Sequence, residues 1–197
     1  DIERELAFIG ARFDGARTQA AGAPNPLALQ APVTPALRRV EMVTSPDNAT
    51  IGLAYVLGTA AERERVLAVD VLLDALTGSN EAPLKRAVLD SGLGDDLSAY
   101  LMDATLQPVV IFDLKGARPQ VAQEFRTLVE DTCRRLCTDG IERQRLVASL
   151  AQAEFNLREG DFGGVADGVA LSMAALSSWL YDDDRPVDYL RYQDAID

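Results

Sequence analysis

The chain has 197 residues, 48% hydrophobic and 25% charged, enough for a sizeable core in one domain or in one domain plus a connection. A formal net charge of −12 at pH 7 argues against a nucleic-acid binder, which needs clustered Lys and Arg, and against an anionic membrane surface. The chain has no histidine, which excludes Ser-His-Asp and Cys-His catalysis and every His-based zinc signature.

In chain order, the charged start Asp1-Ile2-Glu3-Arg4-Glu5 has no apolar signal-peptide core. Ile2, Leu6, Ile9 and Phe13 at helical spacing predict a short amphipathic helix. Residues 14–37 lose that periodicity and carry Pro24, Pro26, Pro32 and Pro35, the pattern of a linker. Val40 and Met42 alternate with polar neighbours before the turn residues Ser45-Pro46-Asp47-Asn48. Ile51, Leu53, Tyr55 and Leu57 alternate with smaller residues, and the two runs together predict a pair of antiparallel strands.

Thr59-Ala60-Ala61-Glu62 is a capping box. The helix it starts has an apolar stripe of Val66, Val69, Leu72, Leu73 and Leu76 opposite Arg63, Asp70, Asp74 and Thr77, and Gly78 stops it. Pro83 opens a second short helix with Leu84, Val88 and Leu89, closed by Gly92-Leu93-Gly94. Residues 96–103 and 106–115 predict a hairpin, the second arm holding Val109-Val110-Ile111-Phe112. From Pro119 the pattern is helical, with a core face of Val121, Phe125, Leu128, Thr132 and Leu136. Glu130 with Arg134 and Asp131 with Arg135 stand in the favourable i,i+4 order, and Gly140 closes the helix. A further helix over 142–158 carries Leu146, Leu150, Ala153 and Leu157. The next, over 164–181, has no charge from Val169 to Tyr181 and is expected to be packed on most sides. Asp184-Arg185-Pro186 restarts a last helix towards Ile196. Hairpins segregated from helices predict an α+β fold, an antiparallel sheet covered by helices on one face.

Several residues invite chemistry and are better read as structure. Asp182-Asp183-Asp184 lacks the spacing of a calcium loop and reads as a solvated helix start. Asp161-Phe162-Gly163 has none of the other kinase signatures around it. Trp179 and Tyr181 are core candidates on their apolar helix, and Asp90, Asp95 and Asp96 read as solvated loop carboxylates. Cys133 and Cys137, one helical turn apart, read as two half-buried core thiols. With no disulfide framework, a reducing compartment is expected, cytoplasmic or an organellar matrix. No catalytic, cofactor-binding or metal-binding residue is assigned.

The run from Leu72-Leu73-Asp74-Ala75-Leu76-Thr77-Gly78 through Ser79-Asn80-Glu81-Ala82-Pro83-Leu84 to Leu89-Asp90-Ser91-Gly92-Leu93-Gly94 resembles the pitrilysin/insulinase clan of zinc peptidases, in its presequence-protease branch. The order downstream, from Cys137-Thr138-Asp139-Gly140-Ile141 to the Trp179 helix and Asp182-Asp183-Asp184-Arg185-Pro186, fits the same branch, so the resemblance spans residues 38–196. It implies a metallopeptidase-like half-domain from an enzyme of four homologous α+β domains, closed in two halves around an unfolded peptide. The first domain of such enzymes holds zinc through H-x-x-E-H; this chain resembles the second, non-catalytic one. Residues 1–37 would then be the tail helix of the preceding domain plus a Pro/Ala/Gly-rich linker, and 38–197 the domain itself, truncated before its last strand. The implied role is a structural part of the chamber wall; the alternative is a catalytically silent scaffold subunit of the same clan. Expected partners are the other domains of the same polypeptide and unfolded peptides, with no nucleic acid, no membrane and no cofactor in this chain. The net charge of −12 adds the expectation that the wall favours basic peptides.

Overall fold

The computed structural model describes residues 1–20, 28–33, 37–43, 49–160, 164–182 and 184–196, the side chains of 14–20 and Asp194 excepted. The chain divides into two compact units, Asp1–Ala31 and Pro32–Asp197. The first is built on α1 (Ile2–Ala20), which runs past Phe13, where the apolar spacing ends. Residues 17–20 (Arg-Thr-Gln-Ala) include no helix breaker, and the helix continues through part of the segment expected to be linker.

In the second unit the elements are β1 (Ala49–Val56), α2 (Arg63–Thr77), α3 (Pro83–Ser91), β2 (Asp96–Met102), β3 (Val109–Ala117), α4 (Ala122–Asp139), α5 (Arg143–Glu159), α6 (Asp167–Tyr181) and the short α7 (Gln193–Ile196). The strands form one antiparallel sheet in the order β1-β3-β2. In register, Leu53 and Ala99 flank Phe112 from either side, and Leu97 and Ile51 flank Leu114. β3 is central because Val109-Val110-Ile111-Phe112 is apolar on both faces, while its neighbours alternate.

One face of this sheet is the core. Val110, Phe112 and Leu114 of β3 and Leu97 of β2 are buried with Leu84 and Val88 of α3 and Phe125 and Val129 of α4. The sheet is covered by helices on that face, as the α+β pattern implies. The other face, with Thr50, Gly52, Ala54 and Val56 on β1 and Tyr100 and Met102 on β2, is exposed. Pro83 sits at the first turn of α3, where its missing N–H is no loss. Gly92 ends the helix in the left-handed region, at a φ of +66° that favours glycine.

Several expectations need correction. No strand forms over 38–42 among the described residues; Val40 is 91% exposed, and β1 pairs with β3 instead. Two apolar positions among Arg38, Arg39 and Glu41 offer too little surface to compete with the apolar run of β3. The turn residues 45–48 lie outside the described residues. The capping box is half formed: the Glu62 carboxylate accepts the Thr59 backbone N–H at 2.8 Å, but α2 starts at Arg63 without a side-chain cap. The preceding main chain is committed elsewhere, with the Ala60 N–H bonded to Leu106 O and the Leu57 N–H to Pro108 O. Thr77, expected on the solvent face, is buried, and its hydroxyl donates to Leu73 O at 2.7 Å.

On α4, Glu130 pairs with Arg126 at 2.7 Å rather than with Arg134, and Arg134 pairs with Asp131. Glu130 also accepts from the Tyr55 hydroxyl at 3.3 Å, which ties β1 to α4. The largest departure is α6. Val169, Met173, Leu176, Trp179 and Leu180 are exposed, Trp179 by 54%, and Ser178 is the helix's buried residue, donating to Pro186 O at 2.8 Å. A charge-free helix is compatible with burial, but burial also needs a neighbouring element, and α6 packs chiefly on the 3-10 turn at Asp188–Leu190.

Phe125 has no exposed surface and contributes the largest fully buried side chain of the core. Phe125→Ala is expected to cost about 3–5 kcal/mol, read as a lower denaturant midpoint with unchanged slope.

Candidate functional site

Among the described residues β2 is an edge strand, hydrogen-bonded to β3 on one side alone. Along its other side runs a groove of about 470 Å³ walled by α2 and α5. Leu97, Ser98, Ala99, Tyr100 and Leu101 all line it. Side chains alternate between the two faces of a strand, so consecutive residues share one groove only through the main-chain edge. The groove therefore presents backbone N–H and C=O groups as well as side chains. Its far wall on α5 is polar and short-chained, with Ser149, Gln152 and Asn156.

The opposite wall is acidic. Asp70 and Asp74, one turn apart on α2, both line the groove, and neither forms an ion pair among the described residues. The nearby cations are occupied: Lys85 holds Asp96 at 2.8 Å, and Arg63 holds Asp103 at 3.5 Å while its guanidinium lies 4.0 Å from the centre of the Tyr189 ring. Asp70 keeps solvent on its open side, but the surrounding protein raises its pKa. Desolvation is the first cause, the Asp103 charge the second, and Arg63 only partly offsets them. Asp96 is shifted the opposite way, chiefly by its hydrogen bond from Lys85.

The residues weighed from sequence fall elsewhere and do not converge. Asp182 pairs with Arg185 at 3.8 Å and accepts the Asp184 N–H at 3.1 Å, a local turn; Asp183 lies outside the described residues. Asp161-Phe162-Gly163 also lies outside them. Asp90 meets Arg86 at 3.6 Å, and Asp95 lies against Gly116, where a φ of +64° and the Asp95 carboxylate leave no room for a Cβ. Trp179 is exposed rather than core, and the half-buried Tyr181 donates to Ala104 O at 3.2 Å. Of the two thiols, both free, Cys133 is half-buried and raised in pKa by that burial, whereas Cys137 is exposed, contrary to expectation. The sequence pattern places Asp70 and Asp74 only on the polar face of α2. A signal was present: neither has a Lys or Arg three or four residues away to hold it on a solvated helix face.

A family profile described as Peptidase M16 inactive domain matches residues 4–152. The chain belongs to that family. It is 37% identical over 145 residues to Protein HypA of Clostridium perfringens, covering 74% of this chain and 15% of that protein. It is 34% identical over 131 residues to Presequence protease 1, chloroplastic/mitochondrial, of Arabidopsis thaliana, covering 66% and 12%. The chain thus spans a small fraction of the length of these curated relatives. In fold it is similar to the inactive peptidase domain of a protein described as a zinc protease from Bordetella parapertussis, with a TM-score of 0.59 at 17% identity over 80% of this chain and 86% of that one. Zinc does not fit the residues here. The chain has no imidazole, and no group of three or more Cys, Asp or Glu among the described residues is placed to hold a metal ion.

Asp70 also carries a prediction. A carboxyl whose folded pKa lies above its ordinary 3.8 binds its proton more tightly folded than unfolded, so stability falls as pH rises through that interval. Asp70→Asn is expected to raise the melting temperature at pH 7 by about 1 °C at most, because Asp70 is exposed and water screens most of the penalty. The gain should shrink as pH falls towards 3.8, followed by circular dichroism.

Proposed function

We propose that the chain is a non-catalytic structural domain of a presequence-protease-like zinc metallopeptidase, forming part of a wall around unfolded peptide, with the edge of β2 as the place where peptide main chain lies. The observation that carries this reading is the groove in which Leu97 to Leu101 present a strand edge. An extended segment added there gains main-chain hydrogen bonds whatever its side chains, which suits a surface that meets many unfolded sequences. The open face of the sheet supports the same role, because Thr50, Gly52, Ala54, Val56, Tyr100 and Met102 are exposed there.

In this proposal residues 1–37 are the tail helix and connection from a preceding domain, and zinc belongs to that domain. The groove then supplies binding and orientation, and no bond is broken by this chain's own residues. The free thiols accord with a reducing compartment, cytoplasmic or an organellar matrix.

Hydrogen exchange tests the placement. An extended peptide of about eight residues should slow exchange at residues 97–101. The same peptide with alternate backbone nitrogens methylated should leave those amides unprotected. Equal protection by both peptides, or protection confined to α6, would rule out strand addition at β2.

A further inference from the structure

We propose that the chain pairs with a second copy of itself through the outer face of α6, the two helices running antiparallel. The inference is independent of strand addition at β2 and concerns a surface that the groove does not include.

At about 100° per residue, Val169, Met173, Leu176 and Leu180 fall on one narrow stripe, on the side of α6 opposite its buried residue, Ser178. Each of the four is more than half exposed, and so is Trp179 at the flank of the stripe. Their spacing of four, three and four residues is that of a seam between packed helices. The end of the helix is fastened, with the Ser178 hydroxyl donating to Pro186 O at 2.8 Å and the Tyr181 hydroxyl to Ala104 O at 3.2 Å. The stripe is thus presented ready-made, and little ordering is left for binding to impose. A stripe on one convex helix has no walls to enclose a small molecule, but its ridge fits against another helix.

Three observations favour a second copy as that helix. The spacing reads the same in both directions, so an antiparallel copy sets Val169 against Leu180 and Met173 against Leu176, each contact repeated by the two-fold axis. The net charge of −12 makes two copies repel over most of their surface, whereas Val169 to Tyr181 holds no charge, and copies can meet there without opposing like charges. Antiparallel pairing also places the positive end of each helix dipole beside the negative end of the other. The exposed parts of the five side chains amount to roughly 600 Å² per copy, about 1,200 Å² for a pair, the lower edge of the range for specific interfaces. The dimer expected is therefore weak, with a dissociation constant of about 1–100 µM.

Analytical ultracentrifugation of the 197-residue chain tests the pairing. The mass is expected to rise from 21.3 kDa towards twice that value over concentrations of about 1–300 µM. Emission from Trp179, the one tryptophan of the chain, should shift to the blue over the same range as the ring leaves water. Leu176→Glu is expected to weaken association about tenfold or more. Val147→Glu, at an exposed apolar residue of α5, should leave it unchanged. Both residues are exposed, and circular dichroism of both variants should match the wild type. Added salt should strengthen the dimer, because it screens the repulsion between copies and the seam has no charge to lose. A constant mass of 21.3 kDa overturns the proposal. Trp179 open to acrylamide then marks the face as uncovered, and Trp179 shielded marks a segment of the same chain as its occupant. A dimer that Leu176→Glu leaves intact, or that salt weakens, forms through another surface and overturns the assignment to α6.

Discussion

The fold depends on burying one face of β3. Phe112 and Leu114, with Leu97 and Ile51 beside Leu114 in register, must be taken out of water, and α3 and α4 do so through Leu84, Val88, Phe125 and Val129. At about 25 cal/mol for each Å² of apolar surface removed from water, a cluster of this size dominates any ion pair on the surface. Everything else is arranged around that contact. α3 and α4 lie on one face, the hairpin arm β2 is held on one side of β3, and β1 is drawn to the other.

The same constraint leaves both outer strands with an unpaired edge among the described residues. An unpaired edge is a hazard unless it is covered or used. At β2 it is neither buried nor fully open: α2 and α5 stand off from it and enclose a groove. α5 reaches that position partly through Arg145, whose guanidinium donates to Ser79 Oγ at 3.4 Å and to Glu81 O at 3.2 Å, tying α5 to the loop between α2 and α3. Asp70 and Asp74 line the groove while staying exposed, because α2 turns Val66, Leu73 and Leu76 into the protein and leaves the two carboxylates at the margin of that buried face.

Chemistry and architecture are separated in this chain. The chain has no imidazole to offer a metal, and among the described residues Asp90 and Asp182 are held in local ion pairs while Asp70 and Asp74 line the groove. What the fold displays is an unpaired strand edge beside an acidic helix wall.

Much of this was legible from the residues in order. The period-2 and period-3.6 patterns gave the hairpin of β2 and β3, the start of α3 at Pro83, its end at Gly92 and the core face of α4, since those signals are local and each element's burial follows its own pattern. The absence of histidine excluded imidazole ligands and bases before any folding. Tertiary structure alone decided which strand β1 pairs with, that α6 lies exposed despite its lack of charge, and that Asp70 and Asp74 line a groove. In each case the physical reason is the same: a sequence records what a surface is made of, but whether that surface is covered depends on the position of residues distant along the chain. Asp70 reads from the sequence as one more charge on a helix face; that it also lines the groove beside β2, near Asp103, is decided by the fold.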